Sequence, residues 1–129
     1  MFRNLLRTAL PEVPKVDAAV RLINQTEGRI KMTDLCEQLS VTQRTLTRNF
    51  KHVTGFAPKF YTRVVQMHAT LAKMHADRTT SLSTLAHEHG YFDQAHFNKA
   101  IHEFFGFPPQ EYRDLDDPAF RQYMGQKLS

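Results

Sequence analysis

Side chains able to hydrogen-bond to bases and phosphates gather on one side of a predicted helix over residues 42–54. At about 100° per residue, Leu46, Phe50 and Val53 fall on the other, apolar side. The polar side, with a glutamine on its leading turn, comprises Gln43, Arg44, Thr47, Arg48 and Lys51. Arginine can bond guanine through two hydrogen bonds in which it donates both, glutamine can bond adenine through one that it donates and one that it accepts, and lysine suits a phosphate. The pattern favours entry into a major groove. The alternative is an ordinary exposed helix, since Arg and Lys lie outside by default.

The charge distribution around this helix favours a polyanionic partner. The chain has 129 residues and a formal net charge of +4, and the stretch over residues 38–76 holds six Lys or Arg and no Asp or Glu. Residues 77–129 sum instead to −3. A merely solvated surface usually mixes both signs. The acid-free basic stretch therefore predicts a partner such as double-stranded DNA.

The predicted helix belongs to a duplicated unit. GFAPKFY at residues 55–61 recurs as GFPPQEY at residues 106–112, which is an offset of 51. Earlier in the unit, Ser40-Val41 recurs as Gly90-Tyr91 at an offset of 50, so one residue has been inserted between these landmarks. A turn is where a repeated unit best tolerates an insertion. Two copies of one supersecondary unit explain the repeated phrase.

Each copy is predicted to contain two short helices joined by a tight turn. The predicted N-capping residues are Thr33, Thr42, Ser83 and Asp93. Gly55 and Gly106 are predicted to end the second helix of each copy. Cys36 and Ala86 are small enough for two helices to cross closely, so Cys36 is predicted to be a buried packing residue. A duplicated helix-turn-helix is the resulting prediction.

The second copy carries a weaker version of the polar helix face. Its residues are Gln94, Ala95, Asn98, Lys99 and His102. This face has one permanent charge where the first has three, so its electrostatic attraction to phosphates should be weaker. The helix over residues 42–54 is therefore predicted to dominate DNA binding. Three further phosphate contacts are predicted at Thr42, Lys59 and Ser83.

Two amphipathic helices complete the predicted architecture. Apolar residues at helical spacing, taken as core, predict a connecting helix: Phe60, Val64, Met67, Leu71 and Met74. Another helix is predicted from Val16 to Thr26. The predicted organisation is a linker or N-terminal remnant over 1–15, a first helix-turn-helix subdomain over 16–57, the connecting helix over 58–76, a second subdomain over 77–113 and a tail over 114–129.

The residue patterns give no support to catalysis, a cofactor or a metal. The seven histidines form no pair at i,i+4 spacing, and only one cysteine accompanies them. Glycine-rich phosphate loops, paired carboxylates and Ser/His/Asp arrangements are absent. The single Cys36 excludes an internal disulfide, and no apolar run approaches the ~18 residues of a membrane span. We therefore expect a cytoplasmic, nucleoid-associated protein that is not an enzyme.

The two copies resemble the DNA-binding domain of the AraC/XylS family of bacterial transcription regulators. GYFDQAHFNKAIHEFFGFPPQEYR at residues 90–113 and VTQRTLTRNFKHVTGFAPKFY at residues 41–61 are similar to the family's two conserved patterns. The resemblance implies an all-α fold of about seven helices, with two helix-turn-helix subdomains joined by one long helix. It also implies base contacts from Gln43, Arg44, Thr47, Arg48, Gln94, Ala95, Asn98 and Lys99.

The resemblance implies a sequence-specific regulator whose two recognition helices enter adjacent major-groove segments. RNA polymerase is a second candidate partner. This segment is expected to be monomeric, with any dimerisation through an N-terminal domain outside it, so the chain would be a stand-alone regulator or the C-terminal piece of a larger one. Ala95 replaces the family's commoner Ser, and Gln66 and Thr70 stand where Arg and Ala are usual.

Two other functions stay open at this point. The acidic second half would permit a degenerate helix-turn-helix pair that acts as a protein-interaction module. A domain appended to a DNA-repair enzyme, as in some relatives by resemblance, would need a reactive-cysteine segment that the sequence lacks.

Overall fold

The computed structural model describes residues 12–106 and residue 109, and every regular element within them is an α-helix. The six helices are α1 (Val13–Gln25), α2 (Met32–Leu39), α3 (Gln43–Thr54), α4 (Pro58–Ala76), α5 (Leu82–Glu88) and α6 (Gln94–Phe105). The all-α class is as predicted, and the predicted tail over 114–129 lies outside the described residues. The described helices include none that is long and apolar enough to cross a membrane.

The chain divides into two compact units, Met1–Val65 and Gln66–Ser129. The first contains α1, α2, α3 and the first eight residues of α4, and the second contains the rest of α4 with α5 and α6. The predicted connecting helix is thus a single helix whose two parts belong to different units.

Helix α1 begins earlier than its apolar periodicity predicted. It starts at Val13 rather than Val16, with Pro14 in its first turn, where a missing backbone N–H costs nothing. Val13, Val16, Ala19 and Ile23 form its buried stripe. The linker predicted over 1–15 is therefore wrong for residues 13–15, which are helical, and residues 1–11 lie outside the described part of the chain.

Helix α2 corrects one predicted cap. It starts at Met32, and Lys31 occupies the N-cap without a side-chain hydrogen bond, so Thr33 lies inside the first turn and is not the cap. Leu35 and Cys36 are buried as predicted. Burial raises the pKa of the Cys36 thiol above its ordinary value. This favours the protonated form and suits a packing residue.

The core of the first unit joins α1, α2 and α3 to the start of α4. Ile23, Leu35, Leu46 and Phe50 lie in one buried cluster. Tyr61 packs its ring 5.8 Å from that of Phe50 and donates its hydroxyl to the Asn24 side chain at 2.8 Å. This part of α4 therefore anchors to the first unit through an aromatic contact and a hydrogen bond.

The apolar stripe predicted for α4 is correct only in its second half. Met67, Leu71 and Met74 are buried in the second unit. Phe60 is 42% exposed and Val64 only half-buried, whereas the next residues along, Tyr61 and Val65, pack on the first core. In the first unit the apolar residues of α4 that meet the core are therefore displaced by one position from the stripe that the periodicity predicted.

The second unit surrounds its own core and corrects a second cap. Leu85, Ala86, Phe97 and Ile101 pack with the α4 methionines. Helix α5 is capped by Ser81, whose hydroxyl accepts the Thr84 N–H at 3.1 Å, so the predicted cap Ser83 is wrong. Ser83 is the second residue of the helix, because α5 begins at Leu82, two residues earlier than a cap at Ser83 would allow.

The two copies share the same backbone hydrogen bond across the turn and the same helix ending, which confirms the predicted duplication. Val41 donates its N–H to the Cys36 carbonyl at 3.1 Å, and Tyr91 donates to Ala86 at 2.9 Å. Ser40 and Gly90 precede these donors with positive φ values of 54° and 83°. Helices α3 and α6 end at Gly55 and Gly106, both left-handed, as predicted.

Candidate nucleic-acid interface

Helix α3 displays the predicted polar face. The Thr42 hydroxyl accepts the Thr45 N–H at 3.1 Å, so the helix begins at Gln43 as expected. Leu46 and Phe50 are 2% and 0% exposed, which leaves the opposite side to solvent. The exposed residues there are Gln43, Arg44, Arg48 and Lys51. Thr47 is half-buried beside them. The structure thus brings the five predicted residues together along one helix.

The cations of α3 are available to an external anion. Within residues 12–106 and 109, Arg44, Arg48 and Lys51 form no ion pair with an acidic side chain. The acid that contacts the helix through an ionisable side chain is Glu12, whose carboxylate lies 2.9 Å from Nδ1 of His52. Unpaired cations on one helix face create an attractive field for a polyanion, because no acidic side chain in the described part of the chain pairs with them.

The further predicted phosphate contacts are exposed but differ in local structure. Thr42 uses its hydroxyl oxygen as the α3 cap and donates to the Thr45 hydroxyl at 2.9 Å. Lys59 is exposed in the first turn of α4. Ser83 is exposed on α5 and caps nothing.

Helix α6 presents its predicted face less fully than α3 does. Ala95 and Lys99 are exposed, whereas Gln94 is half-buried. Asn98 is also half-buried, and its Oδ1 is enclosed without a hydrogen-bond partner within the described residues. The base contact predicted for Asn98 stays a prediction, and its side chain is only partly exposed. Phe97 and Ile101 form the buried side of α6, and Asn98 lies at the border between that side and the exposed face.

One exposed residue beside this face has no counterpart among the predicted contacts. Phe92, in the turn before α6, is 90% exposed. Its backbone N–H points to Nδ1 of His96 at 3.3 Å, which holds the residue against the first turn of the helix. The signal in the sequence was the one-residue difference between the two repeat offsets, which locates an extra residue in this turn.

Comparison with known proteins agrees with this geometry. A family model described as a helix-turn-helix domain matches residues 35–114, which spans both copies. The chain belongs to this AraC-type helix-turn-helix family. It is therefore a DNA-binding domain of a transcription regulator and not an enzyme.

One curated relative of this AraC-type domain is the HTH-type transcriptional activator RhaS of Shigella boydii serotype 18. The two are 31% identical over 84 residues, which cover 64% of this chain and 30% of RhaS. The AraC-type domain thus spans about a third of that relative.

Two solved structures show the same fold as the AraC-type domain. The C-terminal domain of AraT, a response regulator from Geobacillus stearothermophilus, has a TM-score of 0.72 at 20% identity, covering 81% of this chain and 88% of that one. An AraC-type transcriptional regulator from Chromobacterium violaceum has a TM-score of 0.68 at 24% identity, covering 78% and 90%.

Proposed function

We propose that this AraC-type domain binds double-stranded DNA sequence-specifically, with α3 and α6 each entering a major-groove segment and α3 supplying most of the affinity. The observation that carries the proposal is the row of exposed, unneutralised cations on α3, formed by Arg44, Arg48 and Lys51. A helix that buries its apolar side and exposes such a row is suited to a groove flanked by phosphates.

The proposed contacts divide by chemistry. Base edges would be read by Gln43, Arg44, Thr47 and Arg48 in the first unit, and by Gln94, Ala95, Asn98 and Lys99 in the second. Phosphates would be bound by Lys51, with Thr42, Lys59 and Ser83 as further contacts. Arg44 and Arg48 are one turn apart on α3, so both can contact base edges along the same groove.

The proposal extends to the cellular setting. RhaS is a transcriptional activator, and the shared domain supports the same role for this chain. The chain would then act in the cytoplasm, at the nucleoid. RNA polymerase is the protein partner that activation would require. We propose that this segment binds DNA as a monomer, with any dimerisation left to an N-terminal domain outside it.

Selection from random duplex DNA, followed by mobility shifts at two salt concentrations, tests the proposal. If Lys51 and Lys59 each neutralise one phosphate, log K should fall against log salt with a slope of about −1.8. Affinity should then drop on the order of 10-fold between about 50 and 200 mM salt. Failure to enrich any sequence, with salt-insensitive capture of a protein partner, would favour the interaction-module alternative.

A further inference from the structure

The turn of the second copy contains one residue more than that of the first, and that residue is Phe92. Tyr91 takes the place of Val41, since each donates its N–H across the turn to the preceding helix. Asp93 takes the place of Thr42, since each caps the following helix. Phe92 remains as the residue without an equivalent, and it is 90% exposed.

Phe92 is held at the leading end of α6. Its backbone N–H donates to the ring atom Nδ1 of His96 at 3.3 Å. The backbone N–H of His96 in turn donates to the Asp93 carboxylate at 2.8 Å. The His96 and Tyr91 rings also meet nearly at right angles, with centroids 5.5 Å apart. These contacts order the backbone around Phe92 while its side chain stays in solvent.

The first turn of α6 adds a second apolar group at the same end. Ala95 is exposed there, and Lys99 follows one turn later on the same face. Gln94 and Asn98 are half-buried, and one amide atom of Asn98 is fully enclosed. At the tip of this helix Phe92 and Ala95 are therefore the exposed apolar groups, beside the exposed polar residues Asp93 and His96, with a cation one turn behind them.

Thymine is the base whose major-groove edge carries an apolar group, the C5-methyl, and apolar side chains including Phe and Ala contact it. We propose that Phe92 and Ala95 make the second unit select thymine by packing against C5-methyl groups. This inference rests on the proposed DNA-binding function. It assigns selectivity to the acidic half of the chain without requiring strong phosphate attraction there.

Replacing thymine by deoxyuridine isolates the methyl group, since the hydrogen-bonding edge stays the same. In the best site from the random-DNA selection, each thymine is replaced singly and the affinity of the intact chain is measured. Burial of one methyl contributes ~0.8 kcal/mol, so wild type should weaken about fourfold at one or two positions. In Phe92→Ala or Ala95→Ser, the penalty at one of these positions should fall below about twofold.

Matched variants separate this role from folding. Phe92→Leu keeps apolar bulk and should keep the deoxyuridine penalty, as should Phe56→Ala, which truncates a 54% exposed phenylalanine in the first unit. Circular dichroism should show an unchanged melting midpoint for Phe92→Ala, because its ring is not packed. The inference is overturned, and the proposed function is not, if specific binding shows no methyl penalty. The same holds if the penalties are unchanged in both Phe92→Ala and Ala95→Ser. No sequence enrichment at all overturns the proposed function as well.

Discussion

The side-chain amide of Gln66 donates to the backbone carbonyl of His89 at 2.8 Å, which joins α4 to the end of α5 in the second unit. Thr70, one turn further along α4, is fully buried and donates its hydroxyl to the Gln66 carbonyl at 2.6 Å. These are the two α4 positions where the sequence departs from the common residues of the family. Each departure has a hydrogen-bonding role, and Gln66 supports the residue that precedes the Gly90 turn.

Loss of the Gln66 amide should therefore destabilise the second unit. Gln66→Met keeps the length of the side chain but leaves the His89 carbonyl without this donor, at a cost of ~1–3 kcal/mol. Hydrogen exchange should speed up for the amides of α5 and α6 and change little for those of α1 to α3. Tyr61→Phe, which removes the bond to Asn24 in the first unit, should show the reverse distribution. Equal acceleration in both units for either variant would contradict this assignment.

The corrected cap of α5 separates two neighbouring serines. Ser81→Ala should lower stability by ~1 kcal/mol, because the Thr84 N–H loses its side-chain acceptor. Ser83→Ala should change stability by less than ~0.5 kcal/mol, because Ser83 is exposed within the helix and caps nothing. Urea denaturation of the two variants measures both values. A larger loss in Ser83→Ala would restore the cap that the sequence predicted.

Base readout and phosphate contact should separate on α3. Arg48→Ala should cost ~1–3 kcal/mol on the selected site and relax the preference at one base position, because a bidentate pair is lost. Lys51→Ala should weaken all sequences alike and reduce the salt slope by about one. Repeating the random-DNA selection with each variant shows the difference. An unchanged site preference for Arg48→Ala would contradict its role in base readout.

The two reading helices should contribute unequally to affinity. Residues 38–76 hold a net charge of +6 without an acid, while residues 77–129 hold −3. A triple alanine substitution at Arg44, Arg48 and Lys51 should remove most of the affinity and reduce the salt slope by about 0.9, through the phosphate that Lys51 contacts. The matched triple substitution at Gln94, Asn98 and Lys99 should mainly reduce sequence preference. Equal losses of affinity and slope in both proteins would show that the charge asymmetry has no functional meaning.

The arrangement of the DNA site provides a further test. Two unlike reading helices in one chain predict two contacted major-groove segments about one helical turn apart, ~10 bp, in a site without two-fold symmetry. Hydroxyl-radical footprinting combined with the stoichiometry of the complex measures both properties. A palindromic site occupied only by dimers would contradict monomeric recognition by this segment.

Much of this molecule could be predicted from its sequence because local rules govern the features concerned. Apolar periodicity predicted α3 and α4 within a residue or two, and the repeated glycines marked the left-handed ends of α3 and α6. The polar face of α3 followed from a strong separation of apolar and cationic residues on one helix. Such features depend on neighbours within about one turn, so the sequence alone determines them.

Other features were decided by tertiary structure. Whether Phe60 or Tyr61 faces a core depended on where the first unit meets α4, and helical periodicity alone does not determine this. Ser81 rather than Ser83 became the cap because the chain enters α5 two residues earlier than its apolar pattern suggested. The sequence showed an inserted residue in the second turn, but the fold made it an exposed Phe92. Burial depends on the packing of residues distant in sequence, and that packing exists only once the two cores form.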